Sequence, residues 1–255
     1  MVGVTTVALI ERRQDISRDL FSRYWRDVHG VMAARIPGFL TYTQYHVTPL
    51  SEGALPFEGI ALVSYANEAD RVGLVSSEVT QHIHRDEQNV FRRALLYNLD
   101  ERGFAADGDG DRFGAHSGFL VLTEGDDADS AGKAIAASGA TFCDAYDLRF
   151  GDPAGWNDTD VSGQRCTAVL HAGWVNKDLA SPGLAGLASE FAAYSVDEVH
   201  VMVDNGFPTA VGLRGLDAVR TIEEANGYNQ FSADVVRAIY GTAMAPRAGP
   251  KQDKV

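Results

Sequence analysis

The sequence predicts an α+β fold: two ferredoxin-like (βαββαβ) repeats in tandem, packed against each other. Three observations predict it. Apolar residues recur at helical spacing in some segments and alternate in others, in the order strand, helix, strand, strand, helix, strand. A weaker copy of that order fills the second half. One such unit covers only one face of its sheet with helices. The other face needs an apolar partner, and the sibling repeat is the simplest one.

The elements follow in order. Residues 3–10, rich in Val, Thr and Ile, read as a strand. Ser17 can cap a helix in which Leu20, Phe21, Tyr24, Trp25, Val28, Met32 and Ile36 recur at steps of three and four. Ile36-Pro37-Gly38 stops it. Strands are expected at 39–48, 60–66 and 93–99, with a helical stretch at 68–90 broken near Gly73, Ser76 and Ser77. The Gly- and Asp-rich segment after residue 100 reads as a linker. In the second half, strands are expected at 118–124, 141–150, 165–175 and 196–204, and helices at 127–138 and 183–194. Residues 151–163 read as a loop, "TAVGLRG" (209–215) as one more strand, and 216–225 and 231–241 as helical. The domain expectation is therefore repeats at 1–105 and 113–215 and a helical extension at 216–255. Two sheets packed face to face would leave room for a small ligand between them.

Composition narrows the function classes. The chain has 255 residues, 45% hydrophobic, enough for a sizeable core. A net charge of -13 argues against nucleic acid or an anionic membrane as partner. Cys143 and Cys166 are too few for a disulfide framework and read as packing thiols. "MVGVTTVALIERR" has no basic stretch before its apolar run and reads as a strand, not a signal peptide. No window approaches the ~20 apolar residues a membrane helix needs. A cytoplasmic protein acting on a small molecule is the expectation. A fused barrel needs no partner, but homodimerisation is compatible with it.

The stretch "RRQDISRDLFSRYWRDVHGVMAARIPGFLTYTQYHV" (12–47) resembles the EthD family of the dimeric α+β barrel superfamily. The matching pieces are Arg12 and Arg13 after the first strand, the "SRDLF" helix start, the "YWRDVHG" core and "IPG…Y…HV". "EGIALVSYA" and the later "DEQNVF" (86–91) also fit. The resemblance implies a pseudo-dimeric barrel in one chain. It implies a role in catabolic or natural-product chemistry, in a superfamily of cofactor-free dehydratases, cyclases, isomerases, decarboxylases and monooxygenases, with some haem binders. Fold alone does not choose among them.

Trp25 and His29 are four residues apart and share one helix face. His29 reads either as a hydrogen-bonded end of the apolar stripe or as a general acid/base. On the next strand Tyr42, Gln44 and His46 alternate onto one face, a polar wall that inside a barrel is unfavourable unless it binds something. An exposed strand face is the bland alternative. "QHIHRDE" (81–87) offers His82 and His84; on a helix His82 neighbours Asp86 but not His84, and no further ligand at the right spacing supports zinc. "DGDGDRFG" departs from the calcium-loop pattern, and no P-loop, nucleotide fingerprint or G-x-S-x-G appears. His171 and His200 lie on second-half strands and read as structural.

The expected chemistry is cofactor-free acid–base catalysis on a small hydrophobic or aromatic, polyketide-like molecule: dehydration, cyclisation or isomerisation. His29, His46 and Tyr42 are the expected catalytic groups. Trp25, Gln44, Tyr45, His82 and His84 are expected to line the substrate site. A cofactor-free monooxygenase and a non-catalytic binding protein are the alternatives.

Overall fold

The computed structural model describes residues 4–52, 54–74, 78–114, 116–154 and 166–241. The first half runs β1 (Thr5–Arg12), α1 (Arg18–Tyr24), a π turn (Trp25–His29), α2 (Gly30–Ala33), β2 (Phe39–Pro49), β3 (Gly59–Tyr65), α3 (Glu68–Leu74), α4 (Glu78–Glu87) and β4 (Phe91–Leu99). Ser17 caps the first helix by accepting from the Leu20 N–H, as its position in the sequence suggests. α1, the π turn and α2 form one continuous helix that ends at Ala33; Gly38, at φ +95°, then turns the chain into β2. The expected break at Ser76 and Ser77 lies outside the described residues.

The second half runs β5 (Phe104–Gly108), β6 (Ser117–Thr123), α5 (Ala128–Ala137), β7 (Phe142–Asp147), β8 (Gly151–Ala154), β9 (Cys166–Gly173), α6 (Lys177–Leu187), β10 (Ala193–Asp204), β11 (Phe207–Pro208), α7 (Ala210–Arg214), α8 (Leu216–Glu224) and α9 (Ala233–Tyr240). All the strand pairings are antiparallel, in a single curled sheet of order β5-β7-β9-β6-β10-β2-β3-β1-β4-β8, with β11 on β10. Within it the first half reads β2-β3-β1-β4 and the second β7-β9-β6-β10, the same order by rank. β10 joins the halves by pairing with β2. At the far side the chain crosses over itself. β5 follows β4 but pairs with β7, and β8 follows β7 but pairs with β4.

Four expectations are corrected. The segment after residue 100 is no free linker: it holds β5, and Arg112 forms a bidentate ion pair with buried Asp144 at 2.6 and 2.8 Å. Part of the expected loop, 151–154, is strand β8, while 155–163 lie outside the described residues. The helix expected at 183–194 starts earlier, at Lys177, because Asn176 caps it through the Leu179 N–H; its helical run includes Pro182 and ends at Leu187, and Ala193 already belongs to β10. "TAVGLRG" is helix α7, not a strand. Thr209 caps it, and a Cβ on Gly212 would lie 2.0 Å from the Met202 carbonyl, so glycine is what lets the helix seat on β10.

The core has three parts. Side chains from both halves, including Leu9, Tyr45, Val47, Tyr97, Phe119, Tyr146 and Tyr194, fill the space between the inner sheet faces. The ligand space expected there is instead packed core. The helices of the first half cover the outer face of β1–β4, and α5 and α6 cover that of the second half. The C-terminal helices pack on the first half. Asp27 Oδ1 accepts from the Leu216 N–H at 2.7 Å and so caps α8, whose own cap residue, Gly215 at φ +81°, offers no side chain. Among the described residues, no helix is long and apolar enough to cross a membrane.

Candidate active site

The strand registers place a grid of side chains on the outer face of the first sheet. Its first row is Tyr42, Val63, Thr6 and Asn98. The second is Gln44, Ala61, Ala8 and Leu96, and the third is His46, Gly59, Ile10 and Ala94. Alanines at 8, 61 and 94 leave the floor low. Above it, between the sheet and the helices, lies a cavity of about 330 Å³, walled by Trp25, Phe39, Tyr65, Ile83 and Phe91. That is the size and apolar character of a small-ligand site.

Trp25 is fully buried and stacks on Phe21 with ring centroids 5.7 Å apart. Its indole lies over Gly59, where an added Cβ would approach the ring to 2.7 Å. It also packs against the His46 ring, at 4.7 Å. Trp25 lines the cavity and His46 does not, so the indole walls His46 off.

His29 lines the same cavity one turn further on. Its Nδ1 lies 3.0 Å from Asp86 Oδ2, and Tyr24 donates its hydroxyl to Asp86 Oδ1 at 2.6 Å. Asn89 Nδ2 donates to the Tyr24 oxygen at 2.9 Å. Burial pushes the Asp86 carboxyl up, but the hydrogen bonds from His29 and Tyr24 outweigh it and hold the group below the usual carboxylate range. An ionised carboxylate only accepts, so His29 Nδ1 carries a proton, and in the uncharged form of the ring the lone pair is on Nε2.

The polar wall of β2 faces the helices, neither water nor the space between the sheets. Tyr42 lines the cavity. Gln44 Nε2 donates to the Tyr42 oxygen at 2.7 Å and to the Trp25 carbonyl at 2.9 Å, which ties the wall to the π turn. Burial pushes the Tyr42 phenol well up, so it keeps its proton. His46 packs against His200 at 5.0 Å, and its Nδ1 is hydrogen-bonded to Ser22 Oγ at 2.8 Å. Burial, then the charges of neighbouring groups, hold His46 well below its usual range.

The other expected residues divide. His84 lines the cavity, together with Glu87. His82 is exposed and does not. Tyr45, expected as a cavity wall, points to the sheet–sheet core, with Phe119 and His171 at 5.1 and 4.9 Å. Strand alternation sends it there, opposite to Gln44 and His46. His200 pairs with Glu198 at 2.9 Å beside buried Arg26, away from the cavity. Sequence reasoning missed Thr6, Tyr24, Arg71 and Asn98. The contacts of Thr6, Tyr24 and Asn98 are long-range, and the local Glu68–Arg71 pair reads as an ordinary surface ion pair of a helix. Asp86 had one signal, the acidic pair at 86–87. Among the described residues no group of three or more His, Cys, Asp and Glu side chains is placed to hold a metal ion.

A larger cavity, about 650 Å³, lies between α5 and strands β5, β7 and β9. It holds no imidazole, and burial pushes its thiol, Cys143, up to about 11. Of the two, the first cavity is the one that carries an imidazole, on His29 and His84.

Comparison with known proteins gives one family. Residues 13–93 match the EthD domain. A search of curated proteins finds no match. Among solved structures, the fold is similar to an anthrone oxidase-like protein at 10% identity and a TM-score of 0.47, covering 79% of this chain and 94% of that one. It is also similar to a chlorite dismutase variant from Candidatus Nitrospira defluvii, at 9% identity and a TM-score of 0.36, covering 76% and 90%. The stretch that supplies Trp25, His29, Tyr42 and Asp86 thus lies within the match to the EthD domain, residues 13–93.

Proposed function

We propose that the chain is a small-molecule enzyme in which His29 removes a proton from a hydrophobic, ring-containing carbonyl compound held in the 330 Å³ cavity. One observation carries this reading: an imidazole on the cavity wall has its tautomer fixed by a buried carboxylate, leaving a basic Nε2. Tyr42, protonated and hydrogen-bonded by Gln44, is the group suited to donate to the enolate oxygen that forms. Expulsion of a β-hydroxyl as water from that enolate is dehydration; attack of its carbon on a second carbonyl of the same molecule is cyclisation; reprotonation at another carbon is isomerisation. His46 is a scaffold residue in this account. We also read the chain as two ferredoxin-like repeats, 1–105 and 113–215, with 216–255 as an extension. The common strand order of the two halves and the paired crossovers between them support this.

The test is deuterium uptake from heavy water into β-tetralone, an aromatic ketone with acidic C–H bonds, in an oxygen electrode. Enzyme-dependent uptake without oxygen consumption is expected. Oxygen consumption matched to ketone loss would transfer the site to an oxygenase. Saturable binding in the cavity with neither signal would make it a binding protein.

A further inference from the structure

The cavity has a second polar region, remote from His29. Thr6 Oγ1 donates to Asn98 Oδ1 at 2.8 Å, on the wall that also carries Tyr65. That bond occupies the Asn98 carbonyl oxygen. Both N–H bonds of Asn98 Nδ2 are left without a protein acceptor among the described residues. Arg71, on α3 beyond the end of β3, lines the same cavity. Glu68 holds its Nε and Nη2 at 3.0, 2.7 and 2.6 Å, while its Nη1 is buried without a hydrogen-bond partner. A buried donor left unpaired, as Arg71 Nη1 is, is unfavourable unless a ligand or water meets it; Asn98 is half-buried and lines the same cavity.

We infer that Asn98 and Arg71 form a donor-only subsite that binds an acceptor oxygen, such as a ring carbonyl, at the end of the substrate away from His29. This rests on the reading of the cavity as the substrate site. Asn98 and Ala94 are four residues apart on β4, about 13 Å along the strand. The Phe91 ring, 5.1 Å from His29, belongs to the Ala94 end. The subsite and the base therefore sit at opposite ends, which fits a molecule of two or three fused rings. Glu68 already neutralises Arg71, and Glu87 also lines the cavity. That charge balance favours a neutral carbonyl over a carboxylate.

The experiment compares α-tetralone with tetralin, the same rings without the oxygen, by NMR titration of the full chain. The wild-type protein is expected to bind the ketone about 3- to 10-fold more tightly, the worth of one or two net hydrogen bonds. Asn98→Leu should remove most of that preference and leave tetralin affinity unchanged. Thr6→Val keeps the amide but frees its orientation, and should lose part of the preference. It also serves if Asn98→Leu does not fold. His29→Ala should keep the preference in full. Equal wild-type affinities, or a preference that survives both Asn98→Leu and Thr6→Val, would overturn the subsite alone. Failure of both compounds to perturb cavity residues would overturn the reading of the cavity, and this inference with it.

Discussion

His29 Nδ1 and Asp86 Oδ2 lie 3.0 Å apart, joining the π turn to α4 across 57 residues of chain. Both side chains are buried, at 6% and 9% exposure, so the pair is poorly screened. It sets which nitrogen of His29 faces the cavity.

Replacing His29 by Ala should lower turnover or proton exchange by about 10²–10⁴-fold, the usual worth of a positioned acid–base group. The fold should persist, because Trp25 and Phe91 keep their packing. Thermal unfolding alongside a rate measurement checks both halves of the statement.

Asp86→Asn should reduce the rate with little change in ligand affinity, since the amide no longer requires a proton on Nδ1. It should also change the acid limb of stability. The folded-state carboxyl lies below its ordinary value of 3.8. Its contribution is therefore present above that value and lost as the pH falls through the lowered one. Urea unfolding between pH 5 and 2.5 should show a shallower acid loss in the variant, if the protein remains folded there.

His171 gives a second pH dependence at milder acidity. Burial, then the Arg112 charge, lower it from 6.5 to about 3. Below pH 6.5 the unfolded chain takes up a proton that the folded one refuses. Stability should then fall with decreasing pH, by about 1.4 kcal/mol per unit for this group, down to pH 3. His46 is lowered as well and adds to the slope. His171 stacks on Phe119 at 4.3 Å, so His171→Phe keeps an aromatic contact and should flatten the decline seen by denaturation at pH 7.5 and 5.5.

Gly59→Ala should push the Trp25 indole off the sheet, since the new Cβ would meet it at 2.7 Å. Overpacking of this kind is typically worth about 1–3 kcal/mol of stability. Near-ultraviolet circular dichroism and the unfolding midpoint should both move. A neutral result would mean the ring is not seated there.

Much of the fold was legible because it rests on local chemistry. Ser17 announces the first helix, and the alternation of 39–48 marks β2; Ile36-Pro37-Gly38 marks the turn between them, the helix itself ending at Ala33. The period also identified one face of β2 as holding Tyr42, Gln44 and His46. Which layer that face meets was not legible, because both sides of a doubly covered sheet are apolar enough to accept it. The expected site was accordingly put between the sheets, where Tyr45 lies, when the cavity is on the helix side, where Trp25 lies. The Asp86 partnership and the Thr6–Asn98 pair depend on tertiary register, and spacing says nothing of either. The valine and threonine of 209–211 suggest a strand, whereas Thr209 caps α7 and Gly212 is a close approach to Met202.

The most direct test of the account separates the two histidines of the opening helix and strand. Proton exchange should be measured for His29→Ala and His46→Ala under one set of conditions, each with its unfolding curve. The cavity geometry predicts that His29→Ala loses exchange and stays folded, while His46→Ala keeps exchange and loses stability. Exchange lost in His46→Ala but kept in His29→Ala would contradict it.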